Sequence, residues 1–321
     1  MKKVFYPLFL VCLLSLNVFG QKDVFLTITH KLGANPFAFN QTAQNSLGHS
    51  FQITRVDYYI SGLIIVHDGG IETPVPNHYI LAKGSAPVID SLGSFNVTNV
   101  EGIKFSIGVE APTNTSDPTV YSLPHPLALQ APSMHWGWSS GYRFVCLEGM
   151  SGTSLGTVFQ MHGLFDANYF AQTQMAAGMT QNGNIYINLN ADYIKAVNGV
   201  NLNAGPVDHG VDQTDLNVLE NFRDLVFSPG TSIPNKLDNW AEETGILIFP
   251  NPSNGQVYVD VSKTTKPLSE VRVLDVTGKE IQHHTLIDQS TLSLNIQQPG
   301  MYFLQFSQYG VVVGTQKVLI Q

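Results

Sequence analysis

The feature that most constrains the fold is a two-residue hydrophobic period that recurs along the chain and is repeatedly interrupted by turn residues. The first such stretch places four side chains on one face of an extended segment: Val24, Leu26, Ile28 and His30. Similar stretches follow as "IKFSIGVE", "YRFVCLEG", "TVFQMHGLF" and "NIYINLNADYI". Alternation of this kind predicts strands, because successive side chains of a strand point to opposite faces. No βαβ pattern accompanies them, so the sequence predicts an all-β fold whose main domain is an antiparallel β-sandwich.

One segment breaks the strand pattern. Residues 213–227, "QTDLNVLENFRDLVF", have the spacing of a helix, either alone or followed by a short strand. We expect this to be the main helical element of the domain.

The first 20 residues have the pattern of a secretory signal peptide. Lys2 and Lys3 precede an apolar run that is short for a membrane span, and Gly20 stands at the expected cleavage site. No later segment is apolar enough to span a membrane, so the mature chain is expected to have no transmembrane segment. Cys146 is the only cysteine that remains after this cleavage, which excludes an internal disulfide in the exported protein.

The charge balance excludes one class of partner. The chain has 16 Lys and Arg against 24 Asp and Glu, and loss of Lys2 and Lys3 leaves 14 against 24, a net charge of −10. Nucleic-acid binders need a basic surface, so we expect no nucleic-acid partner.

The C-terminal region predicts a second, smaller β-sandwich over residues 246–321. Its short apolar runs are separated by turns rich in Pro, Asn and Gly, as in "FPNPSNG". Before it, residues 228–245 are rich in Pro, Gly, Ser and Asn without apolar periodicity, which is typical of a linker. Trp240 lies in this linker. The predicted organisation is therefore a signal peptide (1–20), a main domain (21–227), a linker (228–245) and a C-terminal domain (246–321).

The C-terminal region resembles the sorting domain of the type IX secretion system of Bacteroidota. The matching pieces, in order, are "FPNPSNG", "VLDVTGKEI", "PGMYFLQF" and "QKVLI". The resemblance implies handling by the type IX secretion machinery, with export through the periplasm and delivery to the medium or the cell surface.

The main domain resembles the MbnP-like copper-binding proteins. Four ordered blocks carry the resemblance: "RVDYYISGLII", "IKFSIGVEAPTN", "MHWGWSSGYRFVCLEG" and "VFQMHGLFD". The family implies copper held by histidines near a tryptophan that a partner di-haem oxidase can convert to kynurenine. In this chain His162 matches the histidine of the family's "HG" strand end.

Four histidines are the candidate copper ligands, because copper favours imidazole nitrogen and soft sulfur. His30 is expected to be buried on the apolar face of its strand, where a neutral ring needs a hydrogen-bond partner or a metal. His135 stands where the family more often has an aromatic residue, and His209 lies between two aspartates in "VDHGVD". We predict that His30 and His162 come close together. The alternatives at each position, a core histidine, a turn residue or a solvated loop residue, stay open.

Trp136 and Trp138 are the candidate site-adjacent or modified aromatics. On a strand they would share one face while His135 pointed away; packing in the core is the favoured alternative, and both roles can hold together. His283 and His284, in "IQHHTL", are expected on a segment between strands of the C-terminal domain, where they would bind copper only weakly.

Catalysis is not expected. The motif "GTSLG" fits G-x-S-x-G by letter, but it lacks the strand-then-helix setting of a nucleophile elbow. The sequence therefore predicts a secreted or surface protein that binds metal, most simply copper, without turnover. The alternative function is a surface interaction or structural β module that binds no metal.

Overall fold

The computed structural model describes residues 21–210, 213–232, 246–264, 268–286, 290–308 and 311–321. The predicted signal peptide and Trp240 lie outside these residues. The strands of the main domain, in chain order, are β1 Lys22–Leu32, β2 Asn35–Pro36, β3 Thr42–Gln44, β4 Ser50–His67, β5 Ile71–Pro74, β6 Ile80–Lys83, β7 Val88–Phe95, β8 Val100–Ile107, β9 Val145–Ser151, β10 Thr157–Gly163, β11 Phe170–Gln174, β12 Met179–Gln181, β13 Asn184–Asp192, β14 Val207–Asp208 and β15 Phe227–Pro229.

These strands form two sheets, so the predicted all-β class is confirmed. The first sheet has the order β12-β13-β1-β2, with β7 also paired to β1 and β15 to β13. The second has the order β11-β8-β4-β9-β10-β14, and the long strand β4 also pairs with β3, β5 and β6. One large hydrophobic core contains buried residues of both sheets.

The pairing differs from the antiparallel prediction at two places. β1 pairs with β13 in parallel, with His30 opposite Ala191, and β10 pairs with β14 in parallel. Hairpin neighbours are forced to be antiparallel, but strands joined by a long connection are free to enter the sheet in either direction. The chain between β1 and β13 builds most of the second sheet, which supplies such a connection.

The helical prediction is confirmed at residues 213–227. The α-helix α2, Gln213–Asn221, continues as a π-helical turn, Phe222–Val226, and then enters β15. A second, four-residue helix, α1 Tyr193–Ala196, follows β13, and Asp192 caps it by accepting from the backbone N–H of Ile194.

The start of the predicted linker belongs to the main domain. Ser228 and Pro229 lie in β15 and pair with β13, and the N–H of Gly230 donates to the carbonyl of Asn188. The rest of the predicted linker, from residue 233, lies outside the described residues.

The C-terminal region is also built of strands. They are β16 Leu247–Phe249, β17 Gln256–Asp260, β18 Glu270–Leu274, β19 Glu280–Thr285, β20 Thr291–Asn295, β21 Gly300–Gln308 and β22 Val311–Ile320. They form a three-stranded sheet, β16-β17-β20, and a four-stranded sheet, β19-β18-β21-β22, and side chains of both sheets share a core of their own. His283 and His284 lie within β19, not between strands as predicted.

Candidate metal centre

One face of the second sheet carries a row of ionisable side chains across three neighbouring strands. In β9, Cys146 lies opposite Asp57 of β4 and opposite His162 of β10, while Glu148 lies opposite Arg55. Directly opposed residues, and residues two apart on one strand, point to the same face of a sheet. These five side chains therefore share a face. The intervening positions on the same strands face the core: Val56, Leu147 and Met161.

Glu148 sets the protonation of the His162 ring. The two side chains meet through His162 Nε2 and Glu148 Oε1 at 2.9 Å, and Glu148 also accepts from Arg55 Nη1 at 3.2 Å. The hydrogen bond from His162 lowers the pKa of the Glu148 carboxyl, and burial lowers the pKa of His162. Both shifts favour a neutral ring that donates from Nε2 to an ionised carboxylate. The lone pair of His162 is therefore on Nδ1.

That lone pair has no partner among the described residues. His162 is only 4% exposed, and its Nδ1 is a buried nitrogen without a hydrogen bond. A buried polar atom without a partner costs about 1–3 kcal/mol, so it needs an explanation. A neutral imidazole whose Nε2–H is held by a carboxylate is the arrangement commonly seen for histidines that bind a metal through the other nitrogen. His162 thus fits the copper that the sequence resemblance implies.

His209 reaches His162 through the parallel pairing of β10 and β14. Met161 lies opposite Asp208 in that ladder, and the next residue is a histidine on both sides: His162 within β10 and His209 directly after β14. The two rings stack with centroids 4.7 Å apart and planes 13° apart, and His209 Nε2 is also buried without a hydrogen bond. Two hydrogen bonds fix the backbone around His209. The N–H of Asp215 donates to Asp208 Oδ2 at 3.0 Å, and the N–H of Gly210 donates to the Asp215 carboxyl.

The near-parallel rings set a condition for shared binding of one ion. An imidazole lone pair lies in the plane of its ring, so two stacked rings do not aim their lone pairs at a single point between them. One ring must rotate before both nitrogens can bind the same ion. His162 is held by Glu148, whereas His209 Nε2 has no hydrogen bond among the described residues, so rotation of the His209 ring breaks no hydrogen bond at that nitrogen.

Trp136 completes this group. Its ring centroid lies 4.7 Å from that of His209 and 5.6 Å from that of His162, and Arg143 lies 4.0 Å above it. A guanidinium over an indole is a cation–π contact that orients both side chains.

Trp138 lies elsewhere, which corrects the prediction that the two tryptophans share a face. Gly137 between them has φ +115, in the left-handed region that favours glycine, and its carbonyl accepts from the N–H of Gly141 at 2.9 Å to close a tight turn. The segment is therefore a turn and not a strand. Trp138 is 65% exposed, and its ring lies 6.3 Å from that of His135.

His135 is not part of the His162 group. Its ring packs edge-on against Tyr142 at 4.9 Å, and its Nδ1 accepts from the N–H of Gly137 at 3.2 Å. Burial lowers its pKa. No contact with His162 or His209 is present among the described residues, and a metal role for His135 stays a prediction.

The expected approach of His30 to His162 is not what the structure has. His30 is buried as predicted, but in the first sheet, and both its ring nitrogens are used. Nε2 lies 2.7 Å from the carbonyl of Ala86, and Nδ1 lies 2.7 Å from the Tyr193 hydroxyl. A carbonyl only accepts, so Nε2 donates and Nδ1 accepts from the phenol. This ring has no lone pair left for a metal in that arrangement.

Two family models match the chain. The model named MbnP matches residues 21–212, which is more than half of the chain. The chain belongs to the MbnP family. The model of the secretion system C-terminal sorting domain matches residues 247–321, which confirms the type IX sorting domain. The sorting domain marks the chain as a secreted or cell-surface protein. No described helix of the MbnP chain is both long and apolar enough to cross a membrane.

Among solved structures, the chain is similar to MbnP from Methylosinus trichosporium. The two share 13% sequence identity with a TM-score of 0.39, and the match covers 55% of this chain and 77% of that one. No curated protein matches the chain.

The sequence interpretation missed the partners of the candidate ligands. Glu148 holds His162 and is itself held by Arg55, and Arg143 covers Trp136, but none of the three was proposed as a site residue. The two-residue spacing of Cys146 and Glu148 predicts a shared face. The register that brings them to His162 depends on strand pairing, for which the sequence had no signal.

Proposed function

We propose that the MbnP domain of this secreted chain binds copper through His162 and His209, beside Trp136, without catalytic turnover. The observation that carries the proposal is the pair of buried, unpartnered nitrogens, His162 Nδ1 and His209 Nε2, on rings in contact. Imidazole nitrogen is a preferred copper ligand. Copper bound at these two nitrogens would give each of them a partner.

The surroundings of the two rings support binding rather than catalysis. His162 is 4% exposed, and its second nitrogen is fixed by Glu148. A buried ligand held by a carboxylate is orientated before the metal arrives, so less ordering is required on binding. His209, the ring that must rotate, is the mobile partner of this pair in our proposal.

Trp136 is the tryptophan that we propose as the site-adjacent aromatic. Its ring lies against both His162 and His209, whereas the ring of Trp138 lies near that of His135. If a partner di-haem oxidase modifies a tryptophan in this chain, we propose that Trp136 is the target. We further propose that the chain reaches the outside through the periplasm, because its first 20 residues have the pattern of a secretory signal peptide.

A competition titration with a cuprous chelator tests the copper proposal on the full chain. Replacing His162 or His209 with alanine should weaken copper binding at least tenfold, which corresponds to about 1.4 kcal/mol. The control replaces His283 and His284 with glutamine, because these histidines lie on β19 of the sorting domain, where His284 pairs with Gln282 and His283 with Glu270. Equal affinity in all four proteins would overturn the proposal.

The second candidate function is a surface interaction module. It is favoured by apolar side chains that the loop before Tyr142 leaves in solvent: Val120 (71% exposed), Leu123 (68%) and Trp138 (65%). Exposed apolar groups that form one patch often mark a binding surface, and these three side chains all lie within residues 120–138. This candidate gains support if copper affinity does not depend on His162 and His209.

A further inference from the structure

Cys146, Glu148 and His162 form a cluster of three different donor types. A sulfur, a carboxylate oxygen and an imidazole nitrogen from these residues all lie within 4.8 Å of one another. Cys146 and His162 face each other across the β9–β10 ladder, and Glu148 is two residues from Cys146. The cluster is fixed by the central strands of the sheet and does not depend on a loop.

We propose that Cys146, Glu148 and His162 bind a divalent thiophilic cation of the zinc class. This site is separate in chemistry from the copper proposal and does not rest on it, although both use the ring of His162. The ligands are Cys146 Sγ, a Glu148 carboxylate oxygen and His162 Nε2, the nitrogen that already faces Glu148 at 2.9 Å.

The donor set matches what zinc and cobalt take from proteins. Zinc binds thiolate sulfur at about 2.3 Å and imidazole or carboxylate at about 2.0–2.2 Å, so its ligand atoms stand roughly 3.5 Å apart in a tetrahedral site. The present separations of up to 4.8 Å therefore close by roughly 1 Å, within the reach of side-chain rotation. Three protein ligands leave a fourth position for water or another small ligand.

Binding of the cation requires two proton movements. The Cys146 thiol loses its proton to solvent, and the imidazole proton moves from Nε2 to Nδ1. One proton is released per ion, and no electron is transferred. Burial raises the pKa of Cys146 to about 12, but a coordinated thiol is deprotonated by the charge of the metal.

The neighbouring arginines make this exchange compatible with the site. Arg143 Nη1 lies 4.0 Å from Cys146 Sγ, where it favours the thiolate. Arg55 donates to both Asp57 and Glu148, so it keeps one partner when Glu148 turns to the cation. Arg55 and Asp57 then remain as a neutral ion pair beside the new ion.

Shared use of His162 has a consequence for the two metals. Copper in our proposal uses Nδ1 with the proton on Nε2, while the divalent cation uses Nε2 with the proton on Nδ1. Because one neutral ring carries only one ring proton and one lone pair, the two ions exclude each other. A divalent cation should therefore weaken copper binding.

Cobalt(II) is the probe, since thiolate-bound cobalt has a sulfur-to-metal charge-transfer absorption in the near ultraviolet. In a chain that begins at residue 21, Cys146 is the only thiol, so the band reports this residue alone. We expect the band to appear with one equivalent of cobalt and to disappear on addition of zinc. Cys146→Ser should abolish it, and His162→Ala should weaken cobalt binding at least tenfold. The His283→Gln, His284→Gln double variant is the matched control.

The cobalt titration of the unsubstituted protein is sufficient to refute the proposal, so the test does not depend on whether the variants fold. Absence of a charge-transfer band at saturating cobalt would refute it. The two metal proposals fail separately. Copper binding without a cobalt band refutes only the divalent site, and a cobalt band without copper binding refutes only the copper site.

Discussion

His30 and His162 are both buried histidines on central strands, yet their surroundings give them opposite chemistry. His30 has a carbonyl at one nitrogen and a phenol at the other, each at 2.7 Å. His162 has a carboxylate at Nε2 and no hydrogen-bond partner at Nδ1 among the described residues. Burial alone therefore does not identify a ligand. The difference lies in whether the second nitrogen is already paired.

The largest expected effect is on stability at His30. His30→Ala leaves the Tyr193 hydroxyl and the Ala86 carbonyl without their partner in a buried region, which should lower the free energy of unfolding by about 2–4 kcal/mol. Urea unfolding measures this. Copper affinity of the folded variant should equal that of the unsubstituted chain.

Two outcomes would break the comparison at His30. A folded His30→Ala protein with tenfold weaker copper binding would make His30 a ligand, as the sequence predicted. A loss no greater than that of His78→Ala would show that its two hydrogen bonds contribute little. His78 is the control because its side chain is 25% exposed and pairs with Asp90.

A smaller effect is expected at Glu148, which fixes the tautomer of His162. Glu148→Gln keeps an oxygen that can accept from Nε2–H but removes the charge that supports a metal-bound ring. Replacing such a partner typically costs about tenfold or more in metal affinity, so we expect about tenfold weaker copper binding. The matched control is Glu72→Gln, at a carboxylate of the same sheet that pairs with exposed Lys104. If both variants bind copper as the unsubstituted chain does, Glu148 does not position the ligand.

The last prediction concerns the pH dependence of stability at Asp215, the α2 residue whose carboxyl accepts from the N–H of Gly210 beside His209. Burial raises the pKa of Asp215 to about 8, while an unfolded aspartate has a pKa of about 3.9. Between these values the folded chain holds a proton that the unfolded chain has released. Stability should therefore fall as pH rises from about 4 to about 8. Asp215→Asn should flatten this slope, measured by urea unfolding at several pH values.

The control for Asp215 is Asp224→Asn. Asp224 is exposed, and the hydrogen bond from Arg223 lowers its pKa, so its removal should leave the slope between pH 5 and 8 unchanged within about 0.5 kcal/mol. An unchanged slope in Asp215→Asn would mean that Asp215 is ionised in the folded protein.

The sequence by itself determined the fold class, the helix near residue 213 and the nature of the C-terminal domain. These properties are local, because they depend on a two-residue or 3.6-residue period and on ordered motifs. The burial of His30 was predictable for the same reason. The family blocks around Trp136 and His162 also pointed to the part of the domain where we propose the copper site.

Only the tertiary structure decided which of those residues meet. The parallel ladder of β10 and β14 brings His209 beside His162, and the turn at Gly137 separates Trp136 from Trp138. Cross-strand register joins residues that are distant in the chain, and it is set by packing of both sheets at once rather than by any single segment. For that reason the sequence named most of the histidines at issue, but it paired His162 with His30 and overlooked Glu148.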